Sequence, residues 1–205
     1  MIRIAIFIFD GVEELDFVGP YEVFTMINEV YQSSGASKAV HVQLLSETEG
    51  HITGAKGMRV LPDGLISSSE HWDVVLVPGG EGVRPLLENA NVLDWLGRQA
   101  QHVKWMTSVC TGSMALAKAG LTKGKRVTTH HMLFKEFVKR ELDGTLVKDV
   151  RYVRDGNIVT AAGVSAGIDM ALWLTGRMFS PDLARRVQSA MEYDPKPPYA
   201  LSDAE

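Results

Sequence analysis

Residues 106–120 read MTSVCTGSMALAKAG, and they join an apolar run to a helix-like stretch through the chain's one cysteine, Cys110. Upstream the run extends to Val103 as VKWMTSV without in–out alternation, which suits a parallel strand covered by helices on both faces. Downstream, residues 112–119 have helical character and Gly120 fits a C-terminal stop. A strand passing straight into a helix, with small residues at the turn, is the pattern of a nucleophile elbow. Such a turn lifts its side chain above the carboxyl edge of the sheet, where ligands bind in open α/β folds, near free N–H groups of a helix start. A lone cysteine is more often an inert, buried, small hydrophobe; the elbow position favours the reactive reading here.

The remaining runs extend the same pattern. Residues 3–9 (RIAIFIF) and 74–77 (VVLV) read as two further central strands. Helices are expected over 17–30, 84–101, 132–142, 165–179 and 181–193, with Pro181 suited to a first helical turn. Strands alternating with helices give an α/β class with a mostly parallel sheet. Two antiparallel pieces decorate it: residues 150–163, turning at Asp155-Gly156, and residues 51–61, with Gly54 and Gly57. There is no repeat or linker-like segment, so 1–205 is expected to be one domain, with 194–205 (DPKPPYALSDAE) as a surface tail.

Composition narrows the partners. Two hundred and five residues suffice for one sizeable core, and 45% apolar against 22% charged residues argues against disorder. A formal charge of -4, with both signs mixed along the chain, offers no basic stripe for nucleic acid. One cysteine cannot make an intramolecular disulfide, and no apolar run is long enough for a membrane span, so a cytoplasmic protein is expected. The six histidines show no ligand spacing, so no metal is expected.

Three further segments carry candidate chemistry. In DVVLVPGGEGV, Gly79 and Gly80 leave the backbone open, and their N–H groups with that of Thr111 would form an anion hole facing Cys110. A glycine pair also serves simply to turn the chain. In DGVEELDFVGPYEVF, Asp16 falls in the loop or first helical turn above the same sheet edge, where a protonated carboxyl could donate to the thiolate and then shuttle a proton. The plain alternative, with more force for Glu13 and Glu14, is an acid interacting with the helix dipole. His130, in VTTHHM, is a candidate base for Cys110, although His131 competes and a strand-end histidine is often structural. The helix field is expected to lower the Cys110 pKa from about 8.5 so that thiolate dominates.

At these residues the sequence resembles the ThiJ/PfpI family of the class I glutamine-amidotransferase-like superfamily, and within it the isonitrile hydratases. The matching stretches are LDFVGPYEVF, VLVPGGEGV, TSVCTGSMALAKAGL, GKRVTTH, VRDGNIVTAAGVSAGIDMAL and RVQSAMEYDPKPP, nearly the whole chain. The resemblance implies a flavodoxin-like sheet, a homodimer, an elbow cysteine at Cys110 and an acid from the first loop at Asp16. From the hydratases it implies a catalytic part for Thr111 and no cofactor. The hydratases carry tryptophan after the TTH motif where this chain has His131, which leaves the shape of the substrate open. The activity implied is hydration of an isonitrile to an N-substituted formamide. A glutathione-independent glyoxalase and a redox or small-molecule sensor are the alternatives that the family offers. Val18, Tyr21 and Ile52 are the apolar candidates for a dimer surface.

Overall fold

The computed structural model describes residues 1–32, 35, 37–67 and 71–195. In chain order its strands are β1 (Ile2–Phe7), β2 (Val40–Ser46), β3 (Ile52–Thr53), β4 (Arg59–Val60), β5 (Gly64–Leu65), β6 (Val74–Val77), β7 (Trp105–Val109), β8 (Arg126–Val127), β9 (Thr145–Leu146), β10 (Tyr152–Asp155) and β11 (Ile158–Ala161). The helices are α1 (Glu14–Gln32), α2 (Val83–Leu86), α3 (Ala90–Ala100), α4 (Gly112–Lys118), α5 (Phe134–Lys139), α6 (Ala166–Met178) and α7 (Pro181–Ala190), and a 3-10 turn, His131–Leu133, precedes α5.

Seven strands form the main sheet in the order β10-β11-β7-β6-β1-β2-β5, parallel throughout except for β10 against β11. All four residues of β6 are buried, as an apolar run without alternation requires when helices cover both faces. One group of helices packs α1 on α6 and α7, and another packs α4 on α2 and α3. The α1–α6 crossing is tight, for a Cβ on Gly19 would stand 2.9 Å from the Ile168 side chain.

Topology then fixes where a site can form. The chain leaves β1 through α1 to β2 on one side, and β6 and β7 take the other side. Such a reversal of strand order opens a crevice at the carboxyl ends of the strands. The loops after β1, β6 and β7 all emerge there, and they carry Asp16, Gly79 with Gly80, and Cys110.

Several boundaries differ from the sequence reading. The stretch 84–101 breaks into α2 and α3 because Asn89 leaves the helical region and its side chain accepts from the N–H groups of Asn91 and Val92, capping a new helix. The stretch 132–142 starts as a 3-10 turn capped by the His130 side chain, breaks at Leu133, which leaves the helical region without a side-chain cap, and ends its helix at Lys139. The helix expected to reach 193 ends at Ala190, and Glu192 has φ +49. The 150–163 hairpin is integral to the main sheet, since β11 pairs parallel with β7. Its two-residue loop is Gly156 and Asn157, with φ positive at Gly156 alone among the two, which is the II′ pattern rather than an Asp-Gly turn. Strand β2 was not read from the sequence, because VHVQLLS mixes buried and half-buried positions without a clean period. The small β3–β4 hairpin forms as expected. Ile52 on it is 4% exposed and belongs to the core, which removes it as a dimer-surface candidate; Val18 is 36% exposed and Tyr21 half-buried. Apart from Asp194 and Pro195, the 194–205 tail lies outside the described residues.

Candidate active site

Cys110 follows β7 directly and has φ +54, a left-handed conformation that costs a non-glycine residue on the order of 1 kcal/mol. The surrounding backbone holds it there. Its N–H donates to the Ala161 carbonyl at 3.1 Å, and its own carbonyl accepts from the hydroxyls of Ser113 and Thr129, each at 3.0 Å. These bonds make the turn of an elbow and aim the sulfur over the sheet edge. Cys110 is nevertheless 6% exposed.

Asp16 stands in the first turn of α1 and is fully buried. The N–H of Gly79 donates to its Oδ2 at 2.8 Å. Its Oδ1 has no partner of good hydrogen-bond geometry; the Cys110 thiol beside it supplies a weak interaction that favours the carboxylate. Burial dominates, pushing the Asp16 carboxyl up to about 7; the Gly79 N–H opposes this, nearby Glu13 adds to the rise, and Lys56 and the thiol pull back. The Cys110 thiol is pushed up to about 12, first by burial and then by the Asp16 charge, against the N–H and hydroxyl of Thr111. The expectation of a freely ionised thiolate is therefore corrected, because the desolvation of a 6%-exposed sulfur outweighs a four-group helix start. The two groups titrate as a pair that holds two protons below about 7 and one above it.

The glycine pair supports the site indirectly. Gly79 holds Asp16, and the Gly80 N–H donates to Thr111 Oγ1 at 3.0 Å, while that hydroxyl can return a bond to the Gly80 carbonyl at 3.3 Å. Of the three N–H groups read as an anion hole, only that of Thr111 acts on the sulfur. There is no space at Gly79 for a side chain: a Cβ would lie 2.6 Å from the Thr111 nitrogen, 2.7 Å from its Oγ1 and 2.8 Å from Asp16 Oδ2. Gly79→Ala is accordingly expected to pry Asp16 from Thr111 and cut kcat/KM by roughly 10²-fold, the effect of an ångström-scale misplacement. Steady-state kinetics on a variant with parental circular dichroism checks it.

Cys110, Thr111, Gly80 and His130 line one cavity of about 250 Å³, together with Glu13, Ala55, Arg84, Leu133 and Val164. His130 faces this cavity, but its Nδ1 accepts from the Met132 N–H at 3.3 Å. The neutral ring thus carries its proton on Nε2, as a donor. Burial, then neighbouring His131 stacked at 4.6 Å, holds its pKa below the usual histidine range. Nothing links His130 to the Cys110 sulfur, which removes the ground for treating it as the base. Among the described residues no cluster of His, Cys, Asp or Glu is arranged to hold a metal.

Other contributors escaped the sequence reading. Glu13, assigned to the helix dipole, lines the cavity and pairs with Lys56 of the β3–β4 hairpin, whose N–H also donates to Glu14 Oε1 at 2.6 Å. Ser113 and Thr129 lie inside the elbow and TTH stretches, yet their shared hold on one carbonyl depends on the fold and leaves no periodic trace.

A protein named isonitrile hydratase from Pseudomonas putida is 38% identical over 202 residues, covering 97% of this chain and 81% of that protein. A ThiJ/PfpI family protein from Pseudomonas syringae superposes with a TM-score of 0.85 at 28% identity, over 96% of this chain and 77% of that one. Drosophila melanogaster DJ-1beta superposes at 0.81 with 22% identity, over 94% and 98%. The model of the DJ-1/PfpI family matches residues 2–176, and with the elbow cysteine and its sheet-edge setting, the chain belongs to the DJ-1/PfpI family.

Proposed function

We propose that this protein hydrates an isonitrile, R–N≡C, to the N-substituted formamide without a cofactor, using Cys110 as nucleophile, Asp16 as proton shuttle and Thr111 as orienting group. The observation that carries this reading is a strained cysteine and Thr111 lining one small cavity, with a fully buried carboxyl of pKa about 7 interacting with that cysteine. Similarity to the Pseudomonas putida isonitrile hydratase supports it.

The steps balance around the shared proton. With the proton on Asp16, the thiolate attacks the terminal carbon, and Asp16 protonates that carbon to give a thioimidate. The carboxylate then takes a proton from water as its oxygen adds to the carbon, and delivers a proton to nitrogen. Collapse of the tetrahedral adduct forms the formamide carbonyl, returns the hydroxyl proton to Asp16 and expels the thiolate. The Thr111 N–H and hydroxyl, the latter steadied by Gly80, hold charge at the sulfur. His130 Nε2–H is a donor for the product oxygen.

Incubation with methyl and cyclohexyl isonitriles should yield the corresponding formamides, followed by infrared loss of the N≡C stretch. No turnover of either, with turnover of methylglyoxal in parallel, would replace this reading with a glyoxalase. A redox sensor is less well supported, because oxidation follows thiolate character and exposure and Cys110 has little of either.

The working particle in this reading is a homodimer. Val18, on α1, is 36% exposed, an apolar side chain suited to a self-complementary contact. Light scattering at micromolar protein should give about twice the 22.5 kDa chain mass; a fully active monomer would exclude it. Among the described residues no helix is long and apolar enough to cross a membrane.

A further inference from the structure

A second cavity, about 550 Å³, lies beside the one that contains Cys110, and His130 and Val164 line both. The larger cavity is walled by Leu15, His131, Phe134, Val150 and Ala162. Its back wall includes Thr129, whose hydroxyl holds the Cys110 carbonyl. The inner cavity is less than half as large and already houses the reacting groups. In R–N≡C the substituent is collinear with the reacting carbon, so a carbon seated at the sulfur drives R away from Cys110, and a bulky R needs further space.

The chemistry of the walls narrows what that space can accept. Arg151, at the rim, is committed: its guanidinium donates to Asp169 Oδ2 at 2.6 Å and to Ser165 Oγ at 3.0 Å. Of the other cations beside the site, Lys56 pairs with Glu13 and Glu14, and Arg84 with Glu81 and Glu136. Lys148 Nζ stands 5.9 Å from the centroid of the Phe134 ring, and Glu13, Glu81 and Asp149 are the carboxylates on the two linings, so charge of either sign has a counterpart near the site. What the outer cavity itself presents most of is apolar and aromatic: the Phe134 ring, the stacked His130 and His131 rings and the aliphatic side chains of Leu15, Val150, Ala162 and Val164. Rings of this kind favour flat partners through offset or edge contacts.

We infer that this outer cavity is the subsite for the isonitrile substituent, and that it selects flat apolar groups, aryl above small alkyl. The inference rests on the hydratase reading above. Binding energy realised in a remote pocket of this kind raises kcat/KM for the substrates that fill it.

The test compares kcat/KM for methyl and phenyl isonitriles. The parent should prefer phenyl over methyl by about tenfold or more. Val150→Trp fills the outer cavity and Phe134→Ala strips its aromatic wall; each should lower the phenyl-to-methyl ratio by about tenfold, with folding checked by circular dichroism and melting temperature. Two variants of opposite volume change keep the test alive if one misfolds. Ratios unmoved in both folded variants overturn the inference while leaving hydration intact. Ratios unmoved together with a shift from dimer to monomer would mean that a second copy covers this cavity, which also overturns it. Absence of turnover with both isonitriles sinks the hydratase reading itself.

Discussion

Cys110→Ala is expected to abolish isonitrile turnover, by a factor on the order of 10⁴ or more, while leaving the fold in place. The change removes one sulfur atom from a residue whose backbone is held by Ala161, Ser113 and Thr129, contacts that alanine keeps. Alanine bears the same cost at φ +54 as cysteine, so the strain does not change. Cys110→Gly should be equally inactive yet gain about 1 kcal/mol, because glycine adopts this conformation freely. The measurements are formamide production and the melting temperature of the three proteins. Activity retained in folded Cys110→Ala would remove the covalent mechanism entirely.

The second large effect is opposite in sign for activity and stability. Asp16→Asn should lower kcat/KM by roughly 10²- to 10⁴-fold, since asparagine can accept from the Gly79 N–H but cannot shuttle a proton. The folded-state pKa of Asp16 is raised from 3.8 to about 7, so the native protein binds this proton more tightly than the unfolded chain does. Native stability is therefore highest below about pH 4 with respect to this group, and falls as pH rises towards 7. The accumulated cost above that point is on the order of 4 kcal/mol. At pH 8 the Asn variant should be more stable than the parent by up to that amount, and the gap should shrink towards zero as pH falls to 4. Removing the Asp16 charge also removes one of the three influences that raise the Cys110 pKa, so thiol alkylation in the variant should begin at lower pH. In the parent, kcat/KM should rise with pH through about 7, as the pair goes from two protons to the single shared one, and this limb should vanish in the variant. A variant as active as the parent, or one destabilised at pH 8, would reduce Asp16 to a helix-end acid.

Both predictions depend on the same small set of atoms, and each element that brings them together has a local cause. The elbow exists because β7 is too apolar to end anywhere but inside the sheet and because Gly112 allows α4 to start at once, where a Cβ would stand 2.0 Å from the Val77 carbonyl. Asp16 is delivered by the first turn of α1, whose tight crossing with α6 needs Gly19. The burial that makes Asp16 an acid near neutrality is the same burial that costs stability, a common trade at sites of this type.

The α/β class, the three central strands, the elbow and the placement of Cys110 and Asp16 at one sheet edge were legible in the sequence, because each rests on local pattern: unbroken apolar runs, a strand-to-helix junction with small residues, an acid at a helix start. The helix breaks at Asn89 and Leu133 were not, since a side-chain cap at the first and a local backbone turn at the second interrupt a continuing helical period. Nor was β2, whose register is set by pairing with β1 rather than by its own alternation. The rise at Asp16 was read correctly, but the Cys110 shift was read with the wrong sign, because sequence shows the helix start but not the desolvation that exceeds it. The commitment of Gly79 to Asp16, of Gly80 to Thr111 and of His130 Nδ1 to a backbone N–H likewise belongs to tertiary structure. Local sequence determines which chemical groups sit at the ends of which strands; only the packed fold determines how much water they lose and which hydrogen bonds they spend before a substrate arrives.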